Sequence, residues 1–224
     1  MPAPRLRVFS SSVGTKILIG VTGLALFLYL VIHVVGNLIV FLGPSAFNKY
    51  AYTLEGNALL PIVEIGLLLI FLIHIYKTVK MYIANRQARP VGYVKKRYAG
   101  PPSRKSLASS TMIISGLWLV AFLIIHVKAF RFSEETPWPA GGRDLYLQEM
   151  NVFKNPAMVA FYVVSMLVIG SHLWHGIASS FQSLGLDHPK WTPRVLMAGK
   201  VIALALAGAF IVIALWAHFV GAQS

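Results

Sequence analysis

The chain has 224 residues, of which 57% are hydrophobic and 12% charged, with a formal net charge of +13 at pH 7 and no cysteine. A soluble domain carries about 25% charged residues, so this composition excludes a disordered chain and argues against a soluble globular one. Without thiols, the chain itself offers no disulfide, no thiolate nucleophile and no cysteine-ligated zinc or iron–sulfur cluster.

A membrane span needs about 20 mostly apolar residues. Residues 17–42, 106–127, 155–186 and 201–224 carry no formal charge, and 56–76 carry one, Glu64. These runs predict an all-α membrane protein, a single domain over 1–224 with five transmembrane helices at about 15–42, 58–83, 107–131, 156–184 and 196–221. The first run is too long for the apolar part of a signal peptide and reads as a retained span. Gly43-Pro44, Gly100-Pro101-Pro102 and the stretch Pro137-Trp138-Pro139 read as breaks. The connections are expected to be loops, except for a short interfacial helix at 144–153.

Fifteen of the twenty Lys and Arg residues fall on one side of this topology: Arg5, Arg7, Lys16, nine between 77 and 105, and Lys190, Arg194 and Lys200. The positive-inside rule makes that side cytoplasmic, with the N-terminus inside. Sidedness accounts for the charge excess without nucleic acid. The basic face is expected to meet anionic lipid of the bilayer or a soluble partner.

Five of the seven histidines lie well inside spans: His33, His74, His126, His172 and His175. Intramembrane ionisable side chains face the bundle interior and mark functional positions. Helices one and three run outward, and His33 and His126 stand near their outer ends. Helices two and four run inward, with His74 and His172 nearer the inner face. At 1.5 Å per residue the two levels differ by roughly 10–15 Å. Two facing histidines at one depth suit the axial positions of a haem, and two levels make two haem b groups. Filled axial positions favour electron transfer over oxygen chemistry. A zinc or copper site would instead gather its ligands at one level. His172 and His175 are one turn apart, and depth slightly prefers His175 as the fourth ligand. His188 reads as a solvated loop residue, and His218 as an isolated interfacial one.

The order and spacing of several motifs resemble a known family. Thr22-Gly23-Leu24 stands eleven residues before His33, which opens His33-Val34-Val35-Gly36-Asn37; Gly43-Pro44-Ser45-Ala46-Phe47-Asn48 follows. Val63-Glu64-Ile65 precedes His74 by about ten residues. Pro156-Ala157-Met158, Phe161-Tyr162, and His172 followed by Gly176 and Gly185 complete the set. Together they resemble the single-chain dihaem cytochrome b anchor subunit of succinate dehydrogenase, the succinate:quinone oxidoreductases (respiratory complex II), a type shared with quinol:fumarate reductases. The resemblance implies that His33 and His126 ligate a distal haem iron and that His74 and His172 ligate a proximal one. It selects His172 through its spacing to Gly176, leaving His175 as a neighbour that bonds a propionate. One departure stands out: proton-compensated fumarate reducers carry a glutamate two residues before the helix-four ligand, where this chain has Gly170.

The remaining candidates have two readings each. Glu64, read as buried in the outer third of helix two, could exchange a quinone proton or simply bond a neighbouring helix. Lys77 and Lys80 could pair with propionates of the proximal haem or serve as snorkelling anchors. Gly14, Gly20 and Gly23 suggest close helix packing. The expected assembly is a haem-holding four-helix bundle with a peripheral fifth helix in the bacterial cytoplasmic (inner) membrane. It would anchor a flavoprotein and an iron–sulfur subunit on its cytoplasmic face and pass electrons to menaquinone or another quinone; a higher oligomer is open. The rivals are the dihaem cytochrome b of a formate dehydrogenase or hydrogenase, and a haem-free transporter or structural protein.

Overall fold

The computed structural model describes residues 11–88, 91, 106–134, 136–186 and 188–221. Among them the structure is helical, with no strand beyond an isolated bridge between Pro137 and Arg143. Eight α-helices follow in chain order: α1 (Ser12–Asn37), α2 (Pro44–Glu55), α3 (Leu60–Gln87), α4 (Leu107–Ser110), α5 (Met112–Phe130), α6 (Leu145–Lys154), α7 (Pro156–Ser183) and α8 (Thr192–Phe219). Five helical segments are long and apolar enough to cross a membrane: α1 with its continuation to Leu42, α3, α5, α7 and α8. This is a multi-pass, all-α membrane protein. The basic residues Arg5, Arg7, Arg89, Lys95, Lys96, Arg97, Arg104 and Lys105, on which much of the predicted sidedness rests, lie outside the described residues.

Local chemistry sets the boundaries. Ser11 Oγ accepts from the Gly14 amide at 3.0 Å and starts α1. The last turns of that span tighten into a 3₁₀ helix over Leu38–Leu42, and Gly43, at φ 90°, turns the chain. The connection beyond it is not a loop. Pro44 occupies the first turn of α2, where its missing amide costs nothing, so the Gly-Pro pair that ends one helix also begins the next. The third span is interrupted at Thr111, whose hydroxyl bonds the Leu107 carbonyl at 3.0 Å, while Ser110 Oγ bonds Ser106 O at 3.0 Å. Such back-bonding competes with the helical ladder. Asn155 Oδ1 caps α7 through the Ala157 amide at 2.9 Å, with Pro156 behind it.

α7 is the hub: it packs on α1, α5 and α8, while α1 also packs on α3, and α3 touches α5 only lightly. Helix α8 lies against α7 through a small-residue face, with Ala203, Ala207, Ala214 and Ala217 buried, which lets backbones approach closely. α2 and α6 close one end of the bundle, called the α6 end below. Asn48, fully buried, donates to Asp144 Oδ1 at 2.8 Å and accepts from the Tyr146 amide at 2.9 Å, fixing α2 to the start of α6. His218 is not isolated: its Nδ1 lies 2.7 Å from the Phe153 carbonyl and ties α8 to α6. α3 buries no residue, leaving Ile62, Ile65, Leu69 and Leu72 outward. An apolar helix exposed on this scale fits hydrocarbon rather than water as its surroundings.

Candidate functional site

His33 and His126 each stand four residues before the end of their helix, about 6 Å along the axis. Their rings meet at the α6 end, with centroids 5.8 Å apart and planes at 88°. His74 and His172 lie deeper, about 21–24 Å along α3 and α7 from that end. His172 is within electrostatic range of His74 and of His175. The four histidines thus fall into two couples on levels about 15 Å apart: His33 and His126 in ring contact, and His74 and His172 within electrostatic range of each other.

Each deep ring is held by one nitrogen. His74 Nδ1 is 3.0 Å from Thr22 Oγ1, and His172 Nδ1 is 2.9 Å from Ser115 Oγ. Both hydroxyl protons are committed elsewhere, Thr22 to the Leu18 carbonyl at 2.6 Å and Ser115 to the Met112 carbonyl at 3.0 Å. The hydroxyl lone pairs therefore accept Nδ1–H, and the tautomer left behind has a bare Nε2. A fixed Nδ1 with a free Nε2 is the arrangement that orients an imidazole as a metal ligand. At the other level, His126 Nδ1 is 3.2 Å from the Tyr162 hydroxyl. His33 is the least constrained: its Nδ1 is 3.5 Å from Asn37 Nδ2, whose shorter bond, 2.8 Å, goes to the His33 carbonyl.

The two deep anchors share a motif that the sequence reading did not pair. Thr22-Gly23-Leu24 stands eleven residues before His33, and Ser115-Gly116-Leu117 stands eleven residues before His126. In each case the hydroxyl bonds the deep histidine of the returning helix, and the glycine lies beside its ring, closely enough at Gly23 to give it room. A Cβ at Gly23 would lie 3.2 Å from His74 Cε1, and one at Gly116 would lie 3.7 Å from His172 Cε1. Gly23 is therefore more than a packing residue. Gly20 does serve packing, since a Cβ there would meet the Ser180 backbone oxygen at 3.4 Å.

The residues present fit a metal held between paired imidazoles. Two ring nitrogens at about 2 Å from one metal set the ring centroids about 6 Å apart, against 5.8 Å for His33 and His126. Around that pair the lining is aromatic: Tyr29 stacks on His33 at 5.4 Å, Phe210 lies 5.7 Å from it, and Phe122 and Phe130 flank His126 at 5.5 and 5.2 Å. Flat apolar walls and two imidazole donors suit a porphyrin iron. Among the described residues no group of three or more His, Cys, Asp or Glu converges, so the donors stand in pairs.

Glu64 departs from the expectation. It is not a buried, lone carboxylate: its side chain is 40% exposed and takes Arg131 in a two-pronged pair, 3.0 Å from Nε to Oε1 and 3.4 Å from Nη2 to Oε2. The pair joins α3 to the end of α5, and Glu64 lies within electrostatic range of Tyr29. Nothing in the spacing of Arg131 links it to Glu64 in the sequence. Lys77 and Lys80 each hold Nζ 5.9 Å from the Tyr76 ring, a cation–π placement. His175 makes no ring-nitrogen bond like that of His172 among the described residues. His188 sits in the α7–α8 turn, where its amide donates to Thr192 Oγ1 at 2.7 Å.

Two further positions matter. Gly170 packs against α8: a Cβ there would lie 3.2 Å from Ala207 Cβ, so the helix interface leaves no room for a glutamate. Glu149 of α6 was not singled out by sequence, yet it is 4% exposed, its Oε1 is buried without a hydrogen-bond partner among the described residues, and burial pushes its carboxyl up to about 8. Compared with family models, with curated proteins and with solved structures, the chain matches none.

Proposed function

We propose that this chain is the dihaem cytochrome b anchor of a succinate:quinone oxidoreductase. The observation that carries the reading is the set of four histidines at two levels, one couple in ring contact and the other within electrostatic range, the latter two tuned by committed hydroxyls to present a bare Nε2. His74 and His172 would hold the proximal group, and His33 and His126 the distal one. When bound, each haem supplies one-electron transfer between ferric and ferrous iron.

The chain's own residues do the rest. Thr22 and Ser115 hold the deep rings in one tautomer. Tyr162 orients His126. The aromatic lining keeps water from the upper pair. Quinone reduction consumes protons as well as electrons, and Tyr29, Glu64 and Arg131 cluster beside His33 at the α6 end, offering a phenol, a carboxylate and a guanidinium where a quinone carbonyl could dock. Menaquinone is the proposed acceptor. The N-terminus and the basic connections are assigned to the cytoplasmic side of a bacterial inner membrane, where flavoprotein and iron–sulfur partners would dock. Electron flow toward the positive side of an energised membrane then contributes about 2.3 kcal/mol per charge per 100 mV.

The test is haem content by pyridine haemochrome on the purified complex, with a redox titration and identification of co-purifying subunits. Two low-spin b haems per chain with a flavoprotein partner are expected. No haem, one haem, or a molybdenum or nickel partner would overturn the reading.

A further inference from the structure

α6 carries a carboxyl that neither the histidine couples nor the quinone cluster uses. The helix exposes Leu147 at 38% while turning Glu149 inward to 4%, the reverse of what partitioning between water and protein favours. A buried polar atom left without a partner costs about 1–3 kcal/mol, and such an exception calls for an explanation. Glu149 lies within electrostatic range of Tyr162, whose hydroxyl is 3.2 Å from His126 Nδ1. The phenol therefore stands in reach of both the carboxyl's field and the upper couple.

We propose that Glu149 is the proton acceptor linked to electron arrival at the His33–His126 couple. When the centre held there gains one electron, the Glu149 carboxylate takes up one proton from the aqueous phase beside α6. When the electron leaves, the proton returns. This rests on the haem reading above and adds to it a redox-linked proton site. The physical basis is burial: a carboxylate withdrawn from solvent responds strongly to a charge added nearby. Titratable and charged groups at this end include Tyr162 on α7, His126, Lys128 and Arg131 on α5, Lys49 and Glu55 on α2, His218 on α8, and Arg143, Asp144 and Lys154 on and beside α6 itself. Burial is the influence that sets the Glu149 carboxyl, and it places the group where a modest electrostatic change switches its protonation at and just above about pH 8.

The experiment is redox-difference infrared spectroscopy on the intact complex, with optical absorbance recorded in parallel and the distal midpoint potential followed against pH. In the unmodified protein, above about pH 8 where the oxidised form holds the carboxylate, a protonated-carboxyl C=O band should appear on reduction and shift in D2O. The distal potential should fall with pH by up to about 59 mV per unit, one proton per electron. Glu149→Gln should keep both haems, abolish the band and flatten the slope. Glu149→Asp, which retains a carboxyl, should move the band without abolishing it, and serves if the glutamine variant does not accumulate. Full haem absorbance with an unchanged band or slope in Glu149→Gln overturns this proposal alone. Absence of any redox-active absorbance overturns it together with the haem reading.

Discussion

Ser115 on α5 and His172 on α7 are 2.9 Å apart through Oγ and Nδ1, and the serine has already given its own proton to the Met112 carbonyl. One hydroxyl thus decides which nitrogen of His172 is bare. Ser115→Ala removes the acceptor and frees the ring to rotate or change tautomer. Loss of such an outer partner lowers metal affinity about 10–100-fold. The expected outcome is selective loss of the proximal haem on dilution or mild detergent washing, read as haem per polypeptide, with the distal signal retained. Thr22→Val should act on the same haem through His74.

The helix-four histidines separate by the same logic. His172→Ala should remove the proximal haem, because His175 has no anchor to replace it. His175→Ala should retain both haems and at most shift a potential. The opposite pattern in a redox titration would make His175 the ligand.

Glu64→Gln breaks the pairing with Arg131. Because both partners are substantially exposed, the pair contributes about 0–1 kcal/mol by comparison with exposed pairs in water, so thermal stability in detergent should change little. Turnover with quinone should fall while the haem spectrum stays. Unchanged quinone turnover would reduce the pair to a clasp between α3 and α5.

Glu149 gives a pH signature independent of any cofactor. Its folded carboxyl is raised to about 8 from an ordinary value of 4.5. The folded state therefore binds the extra proton, and this contribution to stability is complete below about pH 4.5 and lost as pH rises through about 8. Apparent unfolding temperatures of the unmodified chain should decline across that window. Glu149→Gln should flatten the decline and be the more stable form at pH 9.

Gly170→Glu tests the α7–α8 contact. With Ala207 Cβ 3.2 Å from the position of an added Cβ, overpacking should destabilise by about 1–3 kcal/mol. Gly170→Ala should be far milder, because the helix propensity gained, about 0.5–1 kcal/mol, offsets the small shift α8 must make.

The five spans were legible because hydrocarbon demands long uncharged runs, and the histidines were legible because they are the rare polar interruptions within them. The boundaries were less so. α2 was hidden by Gly43-Pro44, a pair that signals a stop and a start alike. The hydroxyl–glycine pairs could have been found: Thr22-Gly23-Leu24 and Ser115-Gly116-Leu117 have the same spacing to His33 and His126, a repeat visible once two helices are aligned on their histidines. Glu64–Arg131 and the burial of Glu149 could not, because each depends on how separate helices dock, and nothing local encodes that.

The two kinds of contact at the histidines run in different directions. Thr22–His74 joins α1 to α3, and Ser115–His172 and Tyr162–His126 join α5 to α7, each within one helical hairpin. The histidine couples join α1 to α5 and α3 to α7, across the hairpins. Hydrogen bonds therefore complete each hairpin by itself, while the packing of α7 on α1 already joins the two hairpins along one edge. The opposite edge, between α3 and α5, is only lightly packed. If the couples hold haem as proposed, its arrival would close that edge, and a chain short of the group would stay open there, exposed to membrane proteases at a defined place rather than unfolded throughout.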